Sequence, residues 1–192
     1  MDNVYFCLIK TEESLKKYEK IFNIPFYMNK LDSIFIPNLN FSAMEFLGCI
    51  TYKQEMMIDK NNSCAFWFRT NIKDVYHEVF HNWIGNLVTM EFFDNTWINE
   101  GITKFVEVFM CINFGGGYYC DIMRTAYYYA LSWKTHALTN KFIDSEESIR
   151  TNFDTITYEK GGYIMNMLVL YFGKEKIFNG LRFFVKDLNL NL

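Results

Sequence analysis

Two histidines four residues apart, in His77-Glu78-Val79-Phe80-His81, constrain this chain more than any other feature. Four residues is close to one turn of an α-helix, so both imidazoles project from one face. A pair so placed can grip a single metal ion, and zinc is the usual guest of this pentapeptide. Glu78 stands next to the first ligand, within reach of a water held by such an ion. Glu100 follows His81 after eighteen intervening residues, inside Asn99-Glu100-Gly101, where a second helix can return its carboxylate as a third ligand. Three protein ligands leave the fourth zinc position open, as a catalytic site requires. The pentapeptide alone also occurs on helices whose histidines are ordinary polar residues. Here the chain has 3 histidines, two of them in the pattern, and a carboxylate at a suitable distance.

The 192 residues suffice for one domain with a sizeable core. A formal net charge of -3 gives no basic footprint, so no nucleic-acid partner is expected. Hydrophobic residues make up 51% and aromatics 19%, more than such a domain needs for its own core. Some apolar surface is therefore expected to pack on domains outside this chain. The 5 cysteines are scattered and form no C-x-x-C pair, which fits a reducing compartment. No signal sequence opens the chain and no apolar run is long enough to span a bilayer. The expected location is the cytoplasm.

Apolar periodicity predicts a helix over 4–22, stopped by Asn23-Ile24-Pro25. Ser33 to Ile36 reads as a short buried strand, Phe41 to Glu45 as an extended edge, and Gly48 to Tyr52 as a strand or the continuation of that edge. Lys60 to Ser63 is a polar loop. A helix from about Cys64 to Ile84 carries the histidine motif, with Gly85-Asn86 at its terminus. A second helix runs from about Trp97 to Phe114, and Gly115 to Gly117 breaks it. Tyr118 to Leu138 reads as a third long helix. Asn140 to Asp154 reads as a polar loop, Thr155 to Phe172 as a helix interrupted at its start by Gly161-Gly162, and Lys174 to Asp187 as an amphipathic helix.

Three separated segments, in order and spacing, carry a resemblance to one family. They are Phe41-Ser42-Ala43-Met44-Glu45-Phe46-Leu47-Gly48, the block from His77 to Gly101 with Gly85-Asn86-Leu87-Val88-Thr89-Met90, and Thr157-Tyr158-Glu159-Lys160-Gly161. The chain resembles the catalytic domain of zinc aminopeptidases of the aminopeptidase N and puromycin-sensitive type, the gluzincins. Similarity runs from about Phe6 to Phe184, so 1–192 reads as a single, partial catalytic domain. The implied fold is α+β and predominantly α, a thermolysin-like zinc-peptidase domain with a small N-terminal sheet. The family's N-terminal β domain and C-terminal helical domain are outside this chain and are expected to be needed for turnover.

The resemblance implies one zinc ion on His77, His81 and Glu100, with Glu78 as general base. Tyr158 matches the tyrosine that stabilises the oxyanion, a donor able to contribute about 3 kcal/mol. Glu45 matches the glutamate that holds a substrate's free α-amine, and Ala43 and Met44 match residues whose backbone lines the substrate. The implied partners are peptides with a free N-terminus. Asn99 and Glu107 are candidates to orient the ligands, and His136 reads as structural or cleft-lining. The chain departs from the family pattern at Ser42, where glycine is common, and at Phe46, where asparagine is common. Those changes keep a second reading open: a truncated, catalytically impaired remnant that binds zinc or a partner without turnover.

Overall fold

The computed structural model describes residues 2–56, 65–114, 128, 132 and 136–189. Over these residues the fold is mostly helical with one three-stranded sheet, the expected α+β composition. The chain divides into two compact units, residues 1–87 with 182–192, and residues 88–181. No helix among the described residues is long and apolar enough to cross a membrane.

The first unit opens with α1 (Asp2–Phe22), which ends where Asn23 takes a left-handed φ of 51° ahead of Pro25. Three short strands follow: β1 (Asp32–Ile36), β2 (Ala43–Phe46) and β3 (Cys49–Lys53). Their order is β1-β3-β2, with β1 parallel and β2 antiparallel to β3. Phe46 pairs with Cys49, so Leu47 and Gly48 form the hairpin turn, and Gly48 supplies its positive φ of 71°. The central strand is the buried one, with Ile50 and Tyr52 fully enclosed. The expectation of a buried strand at Ser33–Ile36 is corrected: β1 is an outer strand, and Ile34 is 49% exposed.

Next comes α2 (Ala65–Phe80), which α1 holds through an aromatic cluster. The Tyr18 ring lies 5.2 Å from Phe80 and 5.7 Å from Trp83, and Phe22 lies 5.0 Å from Phe80. All four rings are fully buried. The polar tips are satisfied by backbone: Tyr18 Oη donates to the Tyr76 carbonyl at 2.7 Å and Trp83 Nε1 to the Ile24 carbonyl at 3.1 Å. Rigid rings with paired tips fix the helix that carries the histidines. That helix stops at Phe80, four residues short of its expected end at Ile84. Beyond it the bonds shorten to Asn82 N–H on Val79 O and Trp83 N–H on Phe80 O, and Gly85 turns out of the helix at φ 125°.

The second unit contains a 3-10 turn (Phe93–Asn95), then α3 (Thr96–Phe114), α4 (Glu146–Thr151), a π-helical turn (Ile156–Lys160) and α5 (Gly161–Phe172). The last helix, α6 (Lys174–Asn189), follows Gly173, whose φ of 90° separates it from α5. Its Phe178 packs on Phe105 and Phe109 within the second unit, at 5.9 and 4.9 Å. Helix α4 lies in the stretch expected as loop. Its sequence is polar apart from Ile149, and a capping box starts it: Ser145 Oγ accepts from Ser148 N–H and Ser148 Oγ accepts from Ser145 N–H. Gly161 and Gly162 do not interrupt a helix; they begin α5, and the interruption is the π turn before them. The expected loop at Lys60–Ser63, the glycine turn at 115–117 and nearly all of the expected helix over 118–138 lie outside the described residues.

Candidate functional site

In the first unit, His77 and Glu78 occupy the last turn of α2, and His81 is the first residue beyond it. The His81 amide still bonds to the His77 carbonyl at 3.3 Å, so the helical spacing survives and the two imidazoles share a face. Their ring centroids are 4.7 Å apart and the planes cross at 78°. All three side chains are buried, His81 almost completely. His81 Nδ1 sits 2.9 Å from the Ile84 carbonyl. A carbonyl only accepts, so Nδ1 carries the hydrogen, and in the neutral ring Nε2 carries the lone pair. That tautomer is the one a metal-binding histidine needs, with its second nitrogen tied to backbone. The tightened turn after Phe80 is what brings Ile84 O under the ring.

Glu45 reaches the same place from β2. Its Oε1 lies 3.7 Å from His81 Nδ1, beyond hydrogen-bond length. Glu45, Glu78 and His81 each offer a ligand atom, and those atoms lie within 4.8 Å of one another. The strand is held there by a residue the sequence did not single out: Asn86 Nδ2 donates to the Glu45 carbonyl at 2.9 Å, and Asn86 N–H to the His81 carbonyl at 2.9 Å. Asn86 therefore ties the strand with the acidic group to the turn with the second histidine. Its signal in the sequence was its place after Gly85, read as a helix terminus and as part of the resembling block, with no role given to Asn86 itself.

The register also orients the strand. Lys53 N–H bonds to the Ser42 carbonyl at 2.8 Å, and Ala43, Met44 and Glu45 face Tyr52, Thr51 and Ile50. In an antiparallel pair the bonded residues alternate. The main-chain groups of Ala43 and Glu45 thus point away from β3, where Asn86 takes the Glu45 carbonyl, while those of Met44 turn to β3. Phe46 is 55% exposed at the end of the strand.

Beneath β3, Tyr52 is wholly buried, and its phenol is pushed well above its usual range by burial first, then by Cys7 and by Glu78. Burial likewise pushes the Cys7 thiol up to about 11.

In the second unit, Glu100 is buried on the first turns of α3. Asn99 Nδ2 reaches Glu100 Oε1 only at 3.4 Å, as expected of side chains adjacent in a helix. Glu107 accepts a bond from Lys104 Nζ at 3.1 Å. Burial pulls the Lys104 ammonium down, but the carboxylates of Glu107 and Glu159 outweigh it and hold the group above its usual range. Lys104 was not a candidate from sequence.

Tyr158 stands in the π turn, half-buried. Such turns recur at functional sites because they re-aim one side chain inside an otherwise regular helix. Asp154 starts this one: its Oδ1 accepts from the amides of Ile156 and Thr157 at 2.9 and 3.1 Å. His136 Nε2 lies 3.0 Å from Asp154 Oδ2, so this histidine braces the turn. That is the structural part expected of it. Helix α3 and the π turn meet at glycine, since a Cβ on Gly101 would lie 2.9 Å from Gly161 Cα and 3.1 Å from the Thr157 carbonyl.

Comparison with known proteins matches residues 6–191 to the peptidase family M1 domain. Endoplasmic reticulum aminopeptidase 2 of Homo sapiens is 30% identical over 194 residues, 96% of this chain and 20% of that protein. Leucyl aminopeptidase of Saccharolobus solfataricus is 29% identical, covering 94% of this chain and 24% of that protein. Aminopeptidase N of Haemonchus contortus is 33% identical, covering 83% of this chain and 17% of that protein. The chain thus spans about a fifth of the length of these relatives.

Proposed function

This chain belongs to peptidase family M1, and on that premise we propose that it is part of the catalytic domain of a zinc aminopeptidase, with a thermolysin-like fold. The observation that carries the reading is His81, a buried histidine whose Nδ1 is tied to backbone, paired ring to ring with His77 and flanked by Glu78 and Glu45. The donor set fits zinc: two imidazoles, one of them held in the ligand tautomer, and a buried carboxylate suit a borderline-soft ion with an open position. His77, His81 and Glu100 are the proposed ligands of one ion.

When bound, zinc supplies Lewis acidity toward the scissile carbonyl and lowers the pKa of water. The rest falls to this chain's side chains. Glu78 takes a proton from the attacking water and passes it to the leaving amine. Its burial beside the histidines keeps that carboxylate near the reacting atoms. Tyr158 donates its phenol to the developing oxyanion. Glu45 pairs with the substrate's free α-ammonium, which sets the cut at the first peptide bond. Ala43 and the Glu45 amide offer main-chain groups on the side of β2 away from β3, to which an extended peptide can bond, the Glu45 carbonyl being held by Asn86.

The Asn86 side-chain amide ties Glu45 in place beside Phe46; a truncated, catalytically impaired remnant that binds zinc or a partner without turnover stays the alternative reading. Flanking domains like those of the longer relatives are proposed to complete the substrate pocket. The test is hydrolysis of paired reporter peptides by the zinc-loaded chain. A peptide with a free amine is cleaved at its first bond and its N-acetylated twin is not. Equal cleavage of both overturns the exopeptidase reading.

A further inference from the structure

Lys104 is a buried cation in the second unit with two carboxylate partners from different elements. Glu107 lies on its own helix, at 3.1 Å, and Glu159 lies in the π turn, at 3.2 Å. The apolar stem of Lys104 runs along Gly162, where an added Cβ would come within 3.1 Å of Lys104 Cγ. One turn earlier on the same helix, Gly101 abuts Gly161 and the Thr157 carbonyl. So one face of α3 touches the residues around Tyr158: Thr157 before it, and Glu159, Gly161 and Gly162 after it.

We propose that Lys104 is a positioning residue that fixes the π turn, and through it the direction of the Tyr158 phenol, relative to the helix carrying Glu100. This deepens the aminopeptidase reading and rests on it. The physical argument starts from the turn itself. A π turn carries one residue more than an α turn, and relaxing it would rotate the side chains ahead of it by roughly 100°. Its wide bonds are poorer than those of an α-helix, so outside contacts must hold it. Asp154 holds its start by accepting from the amides of Ile156 and Thr157. Lys104 holds its end through Glu159. A buried ion pair adds little net stability against apolar packing, but it penalises any arrangement that leaves one charge alone. Were Glu159 to rotate away, Lys104 would keep only Glu107, and the Glu159 carboxylate would lose its partner. The pair therefore selects one setting of the turn.

The test uses the full zinc-loaded chain, aminoacyl p-nitroanilides, and Glu159→Gln, which cuts the arm between the two segments while leaving the Lys104–Glu107 pair. The expected result is a kcat lower by on the order of tenfold to a hundredfold, with KM within about twofold. In a Tyr158→Phe background the same change should cost nothing further, because Lys104 acts through that phenol. Hydrogen exchange read by mass spectrometry should speed up at least about tenfold in peptides covering 155–162 and stay unchanged in α1. Lys104→Met should reproduce the exchange result if it folds, and Glu159→Gln stands alone if it does not. An unchanged kcat, or losses that add in the double variant, overturns the proposal. If the zinc-loaded wild type turns nothing over even when flanked by the domains of a longer relative, the aminopeptidase reading falls and the catalytic role falls with it. The exchange arm then still decides whether Lys104 sets the turn, with unchanged exchange refuting it.

Discussion

Gly101 on α3 and Gly161 at the start of α5 meet backbone to backbone, so closely that a Cβ on Gly101 would fall 2.9 Å from Gly161 Cα. Each glycine follows a motif proposed to carry chemistry, Asn99-Glu100 in one case and Tyr158-Glu159-Lys160 in the other. Their contact sets how near those segments lie. Gly101→Ala should therefore destabilise the second unit by about 1–3 kcal/mol, since the neighbouring atoms are backbone and cannot step aside. Gly180→Ala is the control. No atom lies within 4 Å of a Cβ added there, in the middle of α6. It should stabilise by about 0.5–1 kcal/mol. Urea denaturation of both variants checks the pair, and equal effects would refute the close-packing account.

The parts of this arrangement that were legible in the sequence are those governed by local periodicity. His77 and His81 shared a face because four residues nearly close a turn, and the helix over 4–22 showed its apolar stripe. The two strands of the hairpin were read as an extended edge at Phe41–Glu45 and a strand at Gly48–Tyr52, but their pairing, with Gly48 in the turn, was not. What was not legible depends on partners distant in sequence. Lys104 reads as an ordinary surface lysine until Glu159 is folded against it. Ile34 reads as core, and its exposure follows from the strand order, which no local pattern reveals. The helix at Glu146–Thr151 has no apolar stripe, and its serine capping box replaces the usual glutamate at the third helical position. The early end of α2 at Phe80 comes with a local exchange of bonds, the His81 ring taking the Ile84 carbonyl three residues on, which apolar periodicity does not report.

Asn86→Ala removes the side-chain bond to the Glu45 carbonyl and leaves that acceptor for water. A net bond of this kind contributes about 1 kcal/mol. If Glu45 binds the substrate's amine, KM should rise by roughly fivefold with little change in kcat. Steady-state kinetics on aminoacyl amides checks this, and a fall in kcat at constant KM would contradict the placement of Asn86 behind Glu45.

The Cys7 thiol, raised to about 11 by burial, ties stability to alkaline pH. Its folded pKa lies above the ordinary thiol value, so the neutral form is favoured in the fold. The stabilisation is complete below about pH 8.5, where the unfolded thiol is also neutral, and is lost as pH rises toward 11. Its size is on the order of 3 kcal/mol. Wild type should lose stability across that window relative to Cys7→Ser. Iodoacetamide should label Cys7 slowly at pH 8.5. Rapid labelling in the folded protein would contradict its burial.

Glu78→Gln preserves the shape of the site and removes the base. Turnover should fall by on the order of 10²–10⁴ while zinc binding persists. Activity assays on zinc-loaded protein decide this, and unchanged turnover would assign the proton transfer elsewhere.

The central claim is that His77, His81 and Glu100 hold one zinc ion. Equilibrium dialysis against zinc at neutral pH, followed by metal analysis of the folded protein, measures it directly. Wild type and Glu78→Gln should each retain about one zinc per chain, and His81→Ala should retain almost none. A folded wild-type chain that leaves dialysis without zinc would contradict the account.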